Sequence, residues 1–140
     1  MTTRVLIADD NAKVRQVWQR LLLTIPNIEV VAEASDGEEA VSLALQHRPS
    51  VVLMDISMPR VDGFEATRRI RAAAPDVLVI IVSADTSRWC VEKGFEVGAD
   101  GYVAKVAAAD ELPQALRAIA QGGRFRTPLA DRNPESPAAS

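Results

Sequence analysis

One cysteine, Cys90, occurs in 140 residues, so no disulfide can close within the chain, and a reducing, cytoplasmic setting is expected. One histidine occurs as well, His47, beside Arg48 and Pro49, where a solvated helix end is the expected role. No apolar run approaches the roughly 20 residues that span a bilayer, and the amino-terminal run Val5–Ala8 is too short for the apolar region of a signal peptide. No excess of positive charge exists either: the net charge is -3, which argues against a nucleic-acid-reading surface on this chain. The Arg68, Arg69 and Arg71 cluster reads as a solvated helix face. What is present is an ordinary globular composition, 48% hydrophobic and 25% charged, sufficient for the core of one domain.

Five short apolar runs alternate with segments of helical spacing. Val51-Val52-Leu53-Met54 is apolar throughout and β-branched in part, as strands buried on both faces are, and it runs into Asp55. Val5-Leu6-Ile7-Ala8 repeats that design and ends in Asp9-Asp10. Ile28–Ala34, Val77–Val82 and Tyr102–Ala104 complete the set. Between them, Asn11, Asp36 and Asp62 stand as helix N-caps, and the last two have glutamate three residues on. The segment Ser87–Val97 is only weakly amphipathic and carries Gly94. Of its neighbours Trp89 and Cys90, only one can face the core; the other is a candidate partner surface. Gly122-Gly123 stops the final helix. The expected fold is α/β, a (βα)5 doubly wound parallel five-stranded sheet, flavodoxin-like, over residues 1–123. Residues 124–140, polar and containing Pro128, Pro134 and Pro137, read as a tail or a linker.

Ligands of such folds bind outside the carboxyl ends of the strands. There the pattern brings together Asp9, Asp10, Asp55, Ser83 and Lys105. Three converging carboxylates repel one another unless a cation neutralises them, and hard oxygen ligands without nearby histidine or cysteine suit Mg2+, not zinc. A metal, an ammonium group and a hydroxyl around one carboxylate can stabilise a transferring phosphoryl group. A carboxylate can itself be the nucleophile. Phosphoryl transfer onto Asp55 is the expected chemistry.

Four stretches together, Val-Leu-Ile-Ala-Asp9-Asp10, Val-Val-Leu-Met-Asp55-Ile-Ser-Met-Pro59-Arg-Val-Asp-Gly63, Val-Ser83-Ala84 and Gly98-Ala-Asp-Gly-Tyr102-Val-Ala-Lys105, resemble a bacterial two-component response regulator receiver domain from about Arg4 to Arg124. Ala-Ile-Ala-Gln-Gly-Gly-Arg-Phe after the last helix is similar to receivers usually followed by a LuxR-type (NarL/FixJ-like) helix-turn-helix. The resemblance implies that Asp55 is the phosphoacceptor. It further implies that Asp10 and Asp55 ligate Mg2+ directly, Asp9 through water, and Ser57 through its backbone carbonyl. Lys105 and Ser83 would bind the phosphoryl group, and Tyr102 would pack inward as Ser83 is drawn to it. A sensor histidine kinase is the implied donor, and a phosphorylation-dependent homodimer the implied assembly. One departure is Val106, where many receivers have proline after a cis bond. A cis bond before a non-proline residue costs about 2.5–4 kcal/mol, so the Lys105–Val106 bond could be cis or trans on this reading.

Two other readings use the same residues. An aspartyl-nucleophile phosphohydrolase of the haloacid-dehalogenase kind would place a second aspartate two residues beyond Asp55, where Ser57 stands, and would need a lid-sized insertion. An unphosphorylated adaptor would not need Asp9, Asp10, Asp55, Ser83 and Lys105 together.

Overall fold

A computed structural model describes residues 2–132 of the chain. Its elements run β1 (Thr3–Ala8), α1 (Ala12–Leu23), β2 (Ile28–Ala34), α2 (Gly37–His47), β3 (Val51–Met54), α3 (Gly63–Ala73), β4 (Leu78–Ser83), α4 (Arg88–Glu96), β5 (Gly101–Ala104), α5 (Ala108–Ala120) and β6 (Phe125–Arg126). Every strand pair is parallel, in the order β2-β1-β3-β4-β5-β6. Alternation along the strands divides the core between two faces. Leu6, Val52, Val79 and Ile81 meet Ala40, Phe64, Ile70 and Val91 on one side. Val5, Ile7, Leu53 and Ile80 meet Trp18, Leu22, Leu112 and Ile119 on the other. Burying each large aliphatic side chain stabilises by about 1.5–3 kcal/mol, which is why strands this short hold.

The expected caps are in place. Asn11 accepts from the amides of Lys13 and Val14, Asp36 from Glu39 and Asp62 from Glu65. The two glutamates then part ways. Glu39 turns back to the Ser35 amide (2.6 Å), closing a capping-box-like ring. Glu65 instead points outward to Arg68 and Arg69. The weak fourth helix is real, capped by Ser87. Its Gly94 is closely packed: a Cβ there would stand 3.0 Å from the Ile81 side chain and from the Tyr102 ring. Cys90 faces the core, and Trp89 is the exposed neighbour.

Two expectations need correction. The sheet has six strands, because Phe125 and Arg126 pair with Gly101 and Tyr102 of β5. Correspondingly, the stretch after Arg124 is not free chain from its start: Thr127 and Ala130 are buried, and a 3-10 turn covers Pro128–Arg132. A two-residue strand carries no readable alternation, and its polar neighbours masked it. The rest of the expected tail, 133–140, lies outside the described residues.

Candidate functional site

The strand-end residues converge. The ladder carries on one residue past each of two strands: the Asp9 amide donates to Ala34 (3.1 Å) and the Asp55 amide to Ala8 (2.9 Å). Both residues are thereby held at the backbone. Asp9 is 1% exposed and Asp55 4%, while Asp10 lies at the open rim. One oxygen from each of the three falls within 4.8 Å of the others. Gly63 closes the floor, since any Cβ there would overlap the Asp55 carbonyl oxygen at 2.1 Å.

Lys105 enters from the opposite side. Its ammonium lies 3.0 Å from Asp9 Oδ2 and 3.2 Å from Asp55 Oδ1. The Trp18 ring, 5.7 Å from the ammonium, makes a cation–π contact on its flank. Burial pushes the Asp55 carboxyl above its ordinary range and the Asp9 charge pushes it further, against the pull of Lys105 and the Ser57 amide. For Lys105, burial acts to lower the ammonium's pKa, but the bond to Asp9 and the charge of Asp55 more than reverse this.

The donor set suits a divalent cation. Asp9 Oδ1 accepts from the Asn11 amide (2.8 Å). Asp9 Oδ2 is buried without a hydrogen bond of good geometry, despite the nearby ammonium. A spare buried carboxylate oxygen beside two further carboxylates, with no histidine or cysteine in the group, fits a hard cation such as Mg2+.

Ser83, buried at the end of β4, accepts the Asp85 amide on its hydroxyl (3.0 Å). Tyr102 is fully buried and donates to the Asp85 carbonyl (2.6 Å), so the inward position is the one observed. That burial raises its phenol pKa. The described chain has no cis peptide bond, which makes Lys105–Val106 trans, at the start of a 3-10 turn over Lys105–Ala107. Ser57 sits in the exposed loop after β3. Sequence reading missed Asp85, which links Ser83 to Tyr102; the polar run Asp85-Thr86-Ser87 was its only local signal. Trp18 was legible as a core position but not as a neighbour of Lys105.

Fold and pocket together define an open, doubly wound α/β domain with an acidic, lysine-flanked cleft at its strand ends. Residues 5–117 match the model of the response regulator receiver domain, and the chain belongs to that family: it is a receiver domain of the two-component response-regulator kind. It is 40% identical over 130 residues to the transcriptional regulatory protein DegU of Brevibacillus brevis, covering 93% of this chain and 55% of that protein. It is 41% identical over 121 residues to the response regulator UvrY of Escherichia coli (strain K12), covering 86% and 56%. The chain thus spans about half the length of the curated relatives it matches. A two-component response regulator of the LuxR family from Aurantimonas sp. SI85-9A1 superimposes with a TM-score of 0.90 at 37% identity, covering 95% of each chain. The isolated receiver domain of RcsB from Salmonella enterica serovar Typhimurium, in the presence of the phosphomimetic BeF3-, gives 0.87 at 25% identity, covering 96% of this chain and all of that one. Among the described residues, no helix is long and apolar enough to cross a membrane.

Proposed function

We propose that Asp55 accepts a phosphoryl group from the phosphohistidine of a sensor histidine kinase, and that this modification switches the surface formed by α4, β5 and α5. One observation carries the reading: three carboxylates within 4.8 Å face an ammonium 3.0–3.2 Å from two of them. An Asp55 oxygen attacks phosphorus as the phosphorus–nitrogen bond breaks, and its electron pair returns to the kinase imidazole. The product is an acyl phosphate, with proton balance completed at that imidazole. Asp9, Asp10, Asp55 and the Ser57 carbonyl would hold Mg2+, which when bound supplies charge neutralisation for the phosphoryl oxygens. Lys105 then exchanges its Asp55 partner for a phosphoryl oxygen. The hydroxyl of Ser83 turns to donate to another, which frees the Asp85 amide. Because the Asp85 carbonyl holds Tyr102, that rearrangement reaches the α4–β5 edge. A local charge change thus biases a two-state element. The name of one relative, the transcriptional regulatory protein DegU, supports output through gene regulation. A homodimer formed on phosphorylation belongs to the same proposal.

Incubation with a small phosphodonor and Mg2+ tests this directly. The expected result is one added phosphoryl mass, mapped to Asp55 and absent when EDTA is present. Equal uptake by Asp55→Asn would overturn the assignment. Multiple-turnover hydrolysis of generic phosphate esters would favour the phosphohydrolase instead.

A further inference from the structure

Helices α1 to α4 each begin with a capping side chain, from Asn11, Asp36, Asp62 and Ser87. At the junction that carries Lys105, neither the 3-10 turn nor α5 has one. The turn is also exposed at its tip, where Val106 is 86% exposed. An ammonium that must face two carboxylates therefore stands on a lightly held turn.

Glu111, in the first turn of α5, reaches back to the end of β5. Its carboxylate is buried, 5% exposed. One oxygen accepts the Ala104 amide (3.1 Å), and the other accepts the Thr127 hydroxyl (2.9 Å). Ala104 ends β5 and directly precedes Lys105. By the two-residue period of a strand, the amide of Ala104 points to the same edge as the groups of Tyr102. That edge pairs with β6, which ends at Arg126. Glu111 supplies the acceptor that a longer β6 would have supplied. Thr127 is pinned in turn: its amide donates to the Tyr102 carbonyl (2.9 Å), and its hydroxyl accepts from Leu129 (3.2 Å). A buried carboxylate is costly unless hydrogen-bonded, and here both oxygens are.

We propose that Glu111 is a positioning residue that holds the end of β5 so that Lys105 meets the phosphoryl group, and that Thr127 makes the segment after β6 part of this support. The role rests on Asp55 being the phosphoacceptor. It also makes residues 125–130, on the edge strand beside β5 and just after it, remote contributors to the strand-end pocket, although the polar character of that stretch resembles a linker.

The test measures Mg2+ and beryllofluoride affinity on the full chain by tryptophan fluorescence. Mg2+ uses the carboxylates, whereas beryllofluoride also needs Lys105, so the two separate positioning from general damage. Glu111→Ala is expected to weaken beryllofluoride binding about tenfold, the loss of one to two hydrogen bonds, with Mg2+ affinity unchanged. Glu111→Gln keeps an acceptor for Ala104 and a donor for Thr127, and is expected to remain within about threefold of wild type. Thr127→Val, nearly isosteric, is expected to lose about threefold and serves where Glu111→Ala fails to fold. Unchanged beryllofluoride affinity in Glu111→Ala, equal loss of both ligands, or a defect in Glu111→Gln as large as in Glu111→Ala would each overturn the role. Wild-type affinity in Thr127→Val would remove the segment after β6 from it. Should the wild-type chain bind Mg2+ but no beryllofluoride, the phosphoacceptor reading fails and this role falls with it.

Discussion

The two halves of the pocket are held in different ways. Asp9 and Asp55 continue their strands by ladder bonds to Ala34 and Ala8, and the helices that follow β1 and β3, α1 and α3, are capped by the side chains of Asn11 and Asp62. Gly63 packs against the Asp55 carbonyl so closely that no side chain fits. Lys105, by contrast, opens a turn with no side-chain cap and is placed by its ion pairs, by Trp18 and by the bonds around Ala104. Like charges held together need a backbone that cannot relax apart. A cation attracted to them can be left on a longer, adjustable arm, as the proposed exchange of carboxylate for phosphoryl oxygen requires.

Breaking the anionic half should have the largest consequences. Asp55→Asn is expected to abolish phosphoryl uptake, read by intact mass, while stabilising the metal-free fold. Burial and the Asp9 charge raise the Asp55 pKa above its ordinary 3.8, so the folded chain holds this proton more readily than the unfolded one. The destabilisation is therefore present above the folded pKa and fades as pH falls toward 3.8. At neutral pH the variant should melt higher than wild type, by roughly 4 °C for each kcal/mol relieved, and the difference should shrink toward pH 4. A variant that melts lower at pH 7 would contradict this balance of charges.

On the cationic half, Lys105→Met is expected to slow phosphorylation by small donors about 100-fold, the usual scale for losing one charge-stabilising group. Mg2+ affinity should persist, since the lysine competes with the cation for the same oxygens. A parallel loss of Mg2+ binding would mean that the halves are not separable. Gly63→Ala should cost about 3 kcal/mol in urea unfolding, because the clash is with backbone that cannot swing aside. The smallest effect is expected at the flank of the ammonium. Trp18→Leu keeps a buried apolar group but loses the ring, and should slow phosphorylation by about 2–5-fold, with Trp18→Phe between it and wild type. No change in Trp18→Leu would leave Lys105 held by its other partners alone.

Much of this is legible in the sequence. Apolar runs ending in Asp9-Asp10, Asp55, Ser83 and Lys105 fixed both the strand order in the chain and the edge at which those groups meet, because parallel right-handed crossovers bring strand ends together. The caps Asn11, Asp36 and Asp62 were readable from short-range chemistry. Other features were not. Glu111 looks like any acidic residue in a helix's first turn, and its burial depends on a strand and a threonine that follow it by 14 to 16 residues. Gly94 is a poor helix former by propensity, and its close packing against Ile81 and the Tyr102 ring is set by the tertiary fold.

The sequence by itself thus determined the first five strands, the helices on the two faces of the sheet and the identity of the pocket's groups, since periodicity, capping and strand-end position are local properties. Only the tertiary structure decided how those groups are held. The distances from Lys105 to Asp9 and Asp55, the inward Tyr102, the trans Lys105–Val106 bond and the sixth strand all arise where distant segments meet. Such contacts are set by space filling and by satisfying buried polar groups, and neither leaves a period in the chain.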